Sequence, residues 1–137
     1  MRWLLLVGIS VATMGAVVGA ASAADVKVTL SGSQEVPAVT TSASGSGTVT
    51  IGVDKAISGS VTTSGVVGTA VHIHMAAAGQ NGPVIVPLVK SGDNSWAVGP
   101  GGKLTDAQYD AFKAGNLYIN VHSETHKGGE IRGQIKP

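Results

Sequence analysis

The chain has 137 residues, 43% of them apolar and 12% charged, with a formal net charge of +1 and no cysteine. A near-neutral chain without a basic cluster excludes nucleic acid and anionic membranes as principal partners, because both are bound through grouped Lys and Arg. The missing cysteines exclude disulfides, thiolate metal sites, cysteine-attached haem and iron–sulfur clusters.

Arg2 precedes an apolar run over residues 4–20 that only Ser10 and Thr13 interrupt, and Ala21-Ser22-Ala23 follows it. A positive start, an apolar stretch and small residues in that order are a secretory signal peptide over residues 1–23, with Ala24 the alternative last residue removed. A retained anchor is the competing reading, but the run is at the short end of the roughly 17–25 residues that a span needs. The expected location is periplasmic or secreted, with no membrane attachment after cleavage. Residues 24–137 then form a single domain, large enough to bury a core without a staple. Loss of Arg2 takes its formal charge to zero.

Residues 26–30 alternate apolar and polar, as a half-buried strand does. Pro37 cannot sit in a central strand, and residues 40–47, Thr-Thr-Ser-Ala-Ser-Gly-Ser-Gly, read as a polar loop. Residues 48–53 and 56–63 alternate on either side of Asp54-Lys55, which predicts a hairpin. Residues 69–75 are the next strand. Gln80-Asn81-Gly82-Pro83 is a turn, and residues 84–89 are a β-branched strand in which Pro87 implies an edge or a bulge. Residues 95–98 form a short strand, with Trp96, like Tyr118 further on, read as core or rim packing. Thr105 with Gln108 three residues on is a capping box, and a helix with Tyr109, Ala111 and Phe112 on its apolar side runs from there to Gly115. Residues 117–121 and 130–135 are the last strands. About eight evenly spaced strands and one short helix predict an all-β fold, an antiparallel Greek-key sandwich or barrel.

All four histidines fall in two short motifs. In Val71-His72-Ile73-His74 the two rings share one strand face, and their Cα atoms are about 6.6–6.8 Å apart at the rise of a strand. From that spacing both can reach one ion at about 2.0–2.1 Å per bond. In Asn120-Val121-His122-Ser123-Glu124-Thr125-His126, His122 ends a strand and His126 follows in a loop. The candidate metal ligands are therefore His72, His74, His122 and His126, provided that the two strands are neighbours. The competing reading is a hydrogen-bonded or solvated histidine cluster. Imidazole without thiolate suits copper first and zinc as the alternative. Glu35 is a minor candidate to complete the site. For Glu130 and Arg132, on one face of the last strand, an ion pair or backbone contacts are the expected role. No Gly-x-Ser-x-Gly elbow, Walker loop or His-Glu-x-x-His is present, and no catalytic residue is assigned.

Several segments together resemble the CHRD (chordin-type) domain: residues 30–39 (Leu-Ser-Gly-Ser-Gln-Glu-Val-Pro-Ala-Val), 70–74, 81–84, 117–123 and 129–135. The resemblance covers essentially the whole of residues 24–137. Lys127 departs from it, standing where many relatives carry proline. The resemblance implies an exported β-barrel or sandwich and names no activity. Chordin is a secreted antagonist of growth-factor signalling, which suggests protein binding, whereas some bacterial single-domain relatives are associated with copper. The His-x-His strand also resembles the copper strand of copper–zinc superoxide dismutase. The expected function is metal binding, copper foremost, for storage, delivery or tolerance. The alternatives are a copper redox enzyme of the dismutase kind and a metal-independent module binding another exported protein.

Overall fold

The computed structural model describes residues 23–137 together with Gly15, so the expected signal segment lies almost wholly outside the described residues. The strands are β1 (Ala24–Ser31), β2 (Ser44–Ile51), β3 (Ile57–Ser64), β4 (Ala70–Met75), β5 (Val84–Gly92), β6 (Ser95–Val98), β7 (Leu117–His122) and β8 (Ile131–Ile135), with one helix, α1 (Asp106–Lys113), between β6 and β7. They close into an antiparallel barrel in the order β1-β2-β3-β6-β5-β4-β7-β8. Strands β3 to β6, and again β4 to β7, follow the Greek-key order of three consecutive strands plus one returning beside the first. Of the two architectures that the alternation allowed, the chain adopts the barrel.

Alternate residues fill the interior. Val26, Val28 and Leu30 of β1 meet Val49 and Ile51 of β2, and Val71, Ile73, Ile119 and Val121 from β4 and β7 are fully buried. Trp96 joins this core, and α1 and its approach add Phe112 and Leu104. Thr105 caps α1 as its sequence predicts: its hydroxyl accepts from the Gln108 amide, and the Gln108 side chain accepts from the Thr105 amide.

Two local expectations change. Residues 44–47, read as loop, are the first half of β2 and pair with β1 and β3 throughout. Their serines face outward and their glycines inward. A Cβ at Gly47 would lie 2.5 Å from the Ser60 carbonyl oxygen, so glycine here marks close backbone approach rather than a break. Pro87 lies opposite His72 on β4, but pairing with β6 ends at Leu88↔Val98, so no ladder partner asks it for a donor on that side. The irregularity sits nearby, where Ile85 is the extra residue between Ile73↔Val86 and His74↔Val84.

The outer surface differs around the barrel. Over β1 to β3 it is open and rich in Ser and Thr. Over β4, β7 and β8 it is roofed by the segments before β2, between β4 and β5, and between β7 and β8. Arg132 on β8 donates to the Ala77 and Gln80 carbonyls and to Asn81 Oδ1, and Asn81 donates in turn to the Val36 carbonyl. Tyr118, Asn120 and Arg132 are consequently as buried as core residues although they point away from the core.

Ile119→Ala should destabilise the domain by about 2–5 kcal/mol, the range for truncating a fully buried aliphatic side chain. Thr105→Ala should cost about 1 kcal/mol through the lost cap. Urea unfolding followed by tryptophan fluorescence measures both, and the larger loss must fall on the strand residue.

Candidate metal centre

The condition left open by the two histidine motifs is that their strands adjoin, and they do. β4 and β7 pair antiparallel with Ala70↔His122, His72↔Asn120 and His74↔Tyr118. Side chains of directly opposed residues share a face, so His72, His74, Asn120 and His122 all project to the roofed outer side. One ring nitrogen from each of His72, His74 and His122 lies within 4.8 Å of those of the other two.

Hydrogen bonds set the ring tautomers. His74 Nδ1–H donates to the Gly82 carbonyl at 2.9 Å, and His122 Nδ1–H donates to the Lys127 carbonyl at 2.8 Å. A carbonyl can only accept, so in this tautomer the acceptor of each ring is Nε2. His72 Nδ1 stands 3.0 Å from His122 Nε2 and supplies the proton between them. His74 Nε2 is buried without any partner. Second-sphere carbonyls that fix the tautomer of a ligating histidine are the usual support of a metal site.

Donors about 2.0–2.1 Å from one tetrahedral ion are about 3.3 Å apart. The three nitrogens lie within 4.8 Å of one another, and the 3.0 Å pair of His72 and His122 is a hydrogen bond, so a metal there would require His72 to carry its proton on Nε2 instead. The donor set and the unpartnered His74 nitrogen therefore fit a divalent transition metal. Burial, foremost, lowers the pKa of both His72 and His74. His122 and His74 add to the effect at His72, while the Gly82 hydrogen bond opposes it at His74. Both rings are held in the neutral form that a metal requires.

The supports come from β7 and β8. Tyr118 stacks on His74 with centroids 4.8 Å apart and planes 2° from parallel. Its ring also lies under the Arg132 guanidinium, 3.4 Å from the centroid. Sequence reasoning left Tyr118 as packing and gave Asn120 no role. The only signal for them was their share of the His122 face.

His126, expected as the fourth ligand, lies outside this group. Its ring Nδ1 stands 3.3 Å from Glu130 Oε1 and 3.2 Å from Thr125 Oγ1. Glu130 is buried, which pushes its pKa up, but donors at Ser123, Thr41 and His126 outweigh that and hold it below the usual carboxylate value. A carboxylate so placed draws the His126 ring to itself. Arg132 makes backbone and Asn81 contacts and no ion pair with Glu130.

Glu35 is buried beneath the roof, and its Oε1 has no hydrogen-bond partner. Its pKa is raised to about 7, chiefly by burial, against the lowering effects of Arg132, Asn120 and His126. Between the unfolded value of 4.5 and about 7 the folded protein holds a proton that the unfolded chain has released. Folding stability therefore falls as pH rises through that window. In metal-free protein, Glu35→Gln should remove this slope. It should stabilise the fold by on the order of 2–3 kcal/mol at pH 8 and by little near pH 4.5. Urea midpoints at the two pH values check it, and an equal effect at both contradicts the raised value.

No curated protein and no solved structure was found to match the chain. The family model of the CHRD domain matches residues 26–135, nearly the whole of the barrel, and the chain belongs to the CHRD-domain family.

Proposed function

We propose that this CHRD domain binds one divalent transition metal, copper before zinc, through His72, His74 and His122, and that it holds or hands on the metal in an exported compartment. The observation that carries the reading is the convergence of three imidazoles, His74 and His122 with Nδ1 fixed by a backbone carbonyl and His74 also with a buried, unpartnered Nε2. Three imidazole nitrogens suit copper, whose affinity leads the divalent series, with zinc next in choice. Export is proposed from the order of residues 1–23. His126 is assigned to holding its loop through Glu130 rather than to the metal.

A second observation favours handing on over permanent storage. Pro87 lies directly across from His72, and Val89 beyond it is 62% exposed. Apolar residues beside the exposed rim of the site suit brief contact with another exported protein.

Competition titrations with Cu(II) and Zn(II) test the reading. His72→Ala, His74→Ala and His122→Ala should each abolish tight binding, whereas His126→Ala should leave a three-histidine site. Because the His72 and His74 values lie below the ordinary histidine value of about 6.5, affinity should hold to that pH and fall steeply below it. Binding by the His72/His74/His122 triple variant equal to wild type would remove the site.

A further inference from the structure

Beneath the three histidines, three buried acceptor atoms have no hydrogen-bond partner: His74 Nε2, Asn120 Oδ1 and Glu35 Oε1. Their residues are 7%, 3% and 6% exposed. A buried polar atom left unpaired costs about 1–3 kcal/mol, and the neighbouring acceptors of His74 and Asn120, joined by Glu35 once it loses its proton, call for an electron-poor guest. While His74 is neutral, neither Asn120 nor His74 can relieve the other; only a proton on His74 Nε2 would bridge them. His74 uses its only N–H on the Gly82 carbonyl, and the Asn120 amide nitrogen is directed to the Gly128 carbonyl at 3.4 Å. Its oxygen therefore faces away from that bond with a lone pair to give.

The strand register shows where it stands. Asn120 is directly opposite His72, diagonal to His74 and two residues before His122 on the same face. The four residues are the corners of one quadrilateral on the barrel wall, three of them histidines and the fourth an amide. We infer that Asn120 Oδ1 is the fourth, inner donor to the metal, and that the Glu35 carboxylate packed against the same amide supplies the negative charge behind it. This rests on the metal-binding reading above.

Charge requires such a partner. Three neutral imidazoles and a neutral amide do not compensate a dication, and the buried Arg132 guanidinium adds a positive charge to the same layer. Glu35 is the carboxylate nearest the amide. The two meet across Gly129, where a Cβ would stand 2.5 Å from Asn120 Nδ2 and 2.7 and 2.8 Å from the Glu35 oxygens. With φ at +124° this position suits glycine, and its bare Cα lets carboxylate and amide approach. Nitrogen and oxygen donors together are a set that Cu(II) accepts in tetragonal geometry and Zn(II) in tetrahedral geometry.

The test uses Asn120→Ala, Asn120→Asp and Glu35→Gln with Cu(II) and Zn(II) as probes. Wild type should bind one equivalent. Asn120→Ala and Glu35→Gln should weaken binding by about ten- to a hundredfold, the range for groups that support a metal site. Asn120→Asp keeps an oxygen at the corner and loses the donor to Gly128, and it should bind at least as tightly as wild type. In D2O, the Cu(II) electron spin echo of Asn120→Ala should gain deuterium modulation as solvent enters the vacated position. If the aspartate variant is as damaged as the alanine variant, with no gain in modulation, Asn120 is structural. The proposal then falls while the three-histidine reading stands. If Asn120→Ala does not fold, unchanged affinity in Glu35→Gln together with weakened affinity in Asn120→Asp overturns it. Wild type that binds neither metal better than the triple histidine variant removes both readings.

Discussion

The register between β4 and β7 is the constraint on which the rest depends. A strand alternates faces, so a slip of one residue against its neighbour would send the histidines into the barrel and the core residues out. What prevents the slip is burial of Val71, Ile73, Ile119 and Val121, all fully inaccessible. Each contributes about 1.5–3 kcal/mol when removed from water. The histidine cluster is thus positioned by the apolar core on the opposite side of the same two strands. It need not hold itself together through every ring, which leaves the His74 Nε2 lone pair free.

The barrel wall carries a second buried layer of a different kind. Inside, aliphatic side chains interdigitate. Outside, over β4, β7 and β8, the roof segments descend onto Arg132, whose guanidinium donates to two carbonyls and an amide and covers the Tyr118 ring. Burying a guanidinium without a carboxylate in contact is expensive unless its donors are satisfied. These acceptors come from the segment between β4 and β5, so the cation and the roof order each other. Tyr118 passes the rigidity on by stacking on His74. In a layer so thoroughly hydrogen-bonded, the unpaired atoms at His74, Asn120 and Glu35 are conspicuous. Structures tend to break their own packing rules where they bind something.

Most of the fold was legible because its signals are local. Alternation set eight strands, and the Thr105–Gln108 box set the one helix. The segment over residues 44–47 misled because serine and glycine are loop residues by composition, whereas here outward serines and inward glycines make a strand fitted to close approach. At the site, the shared face of His72 and His74 followed from period two. The inclusion of His126 followed only from nearness in sequence. Its loop instead turns back, with Ser123 and Gly129 amides donating to the His126 carbonyl, and delivers the ring to Glu130. The roof was illegible for a further reason. Glu35, Asn81 and Arg132 lie far apart in the chain, and nothing local tells which loop covers which face.

The site is unequal from top to bottom, and this bears on exchange. His72 and His122 are half-exposed, whereas His74 is buried, stacked and locked through Nδ1. Under the proposed reading an incoming competitor reaches the two rim histidines first, and each can yield to another donor without disturbing the roof. His74, buried and locked, would be the donor that a competitor reaches last. Substitution by stages, with the charge never left bare, keeps the barrier lower than release into water would. Such an arrangement would suit handing a metal to another protein over losing it to solution, and the exposed Val89, on the same face as Pro87, lies on the side from which a recipient would come.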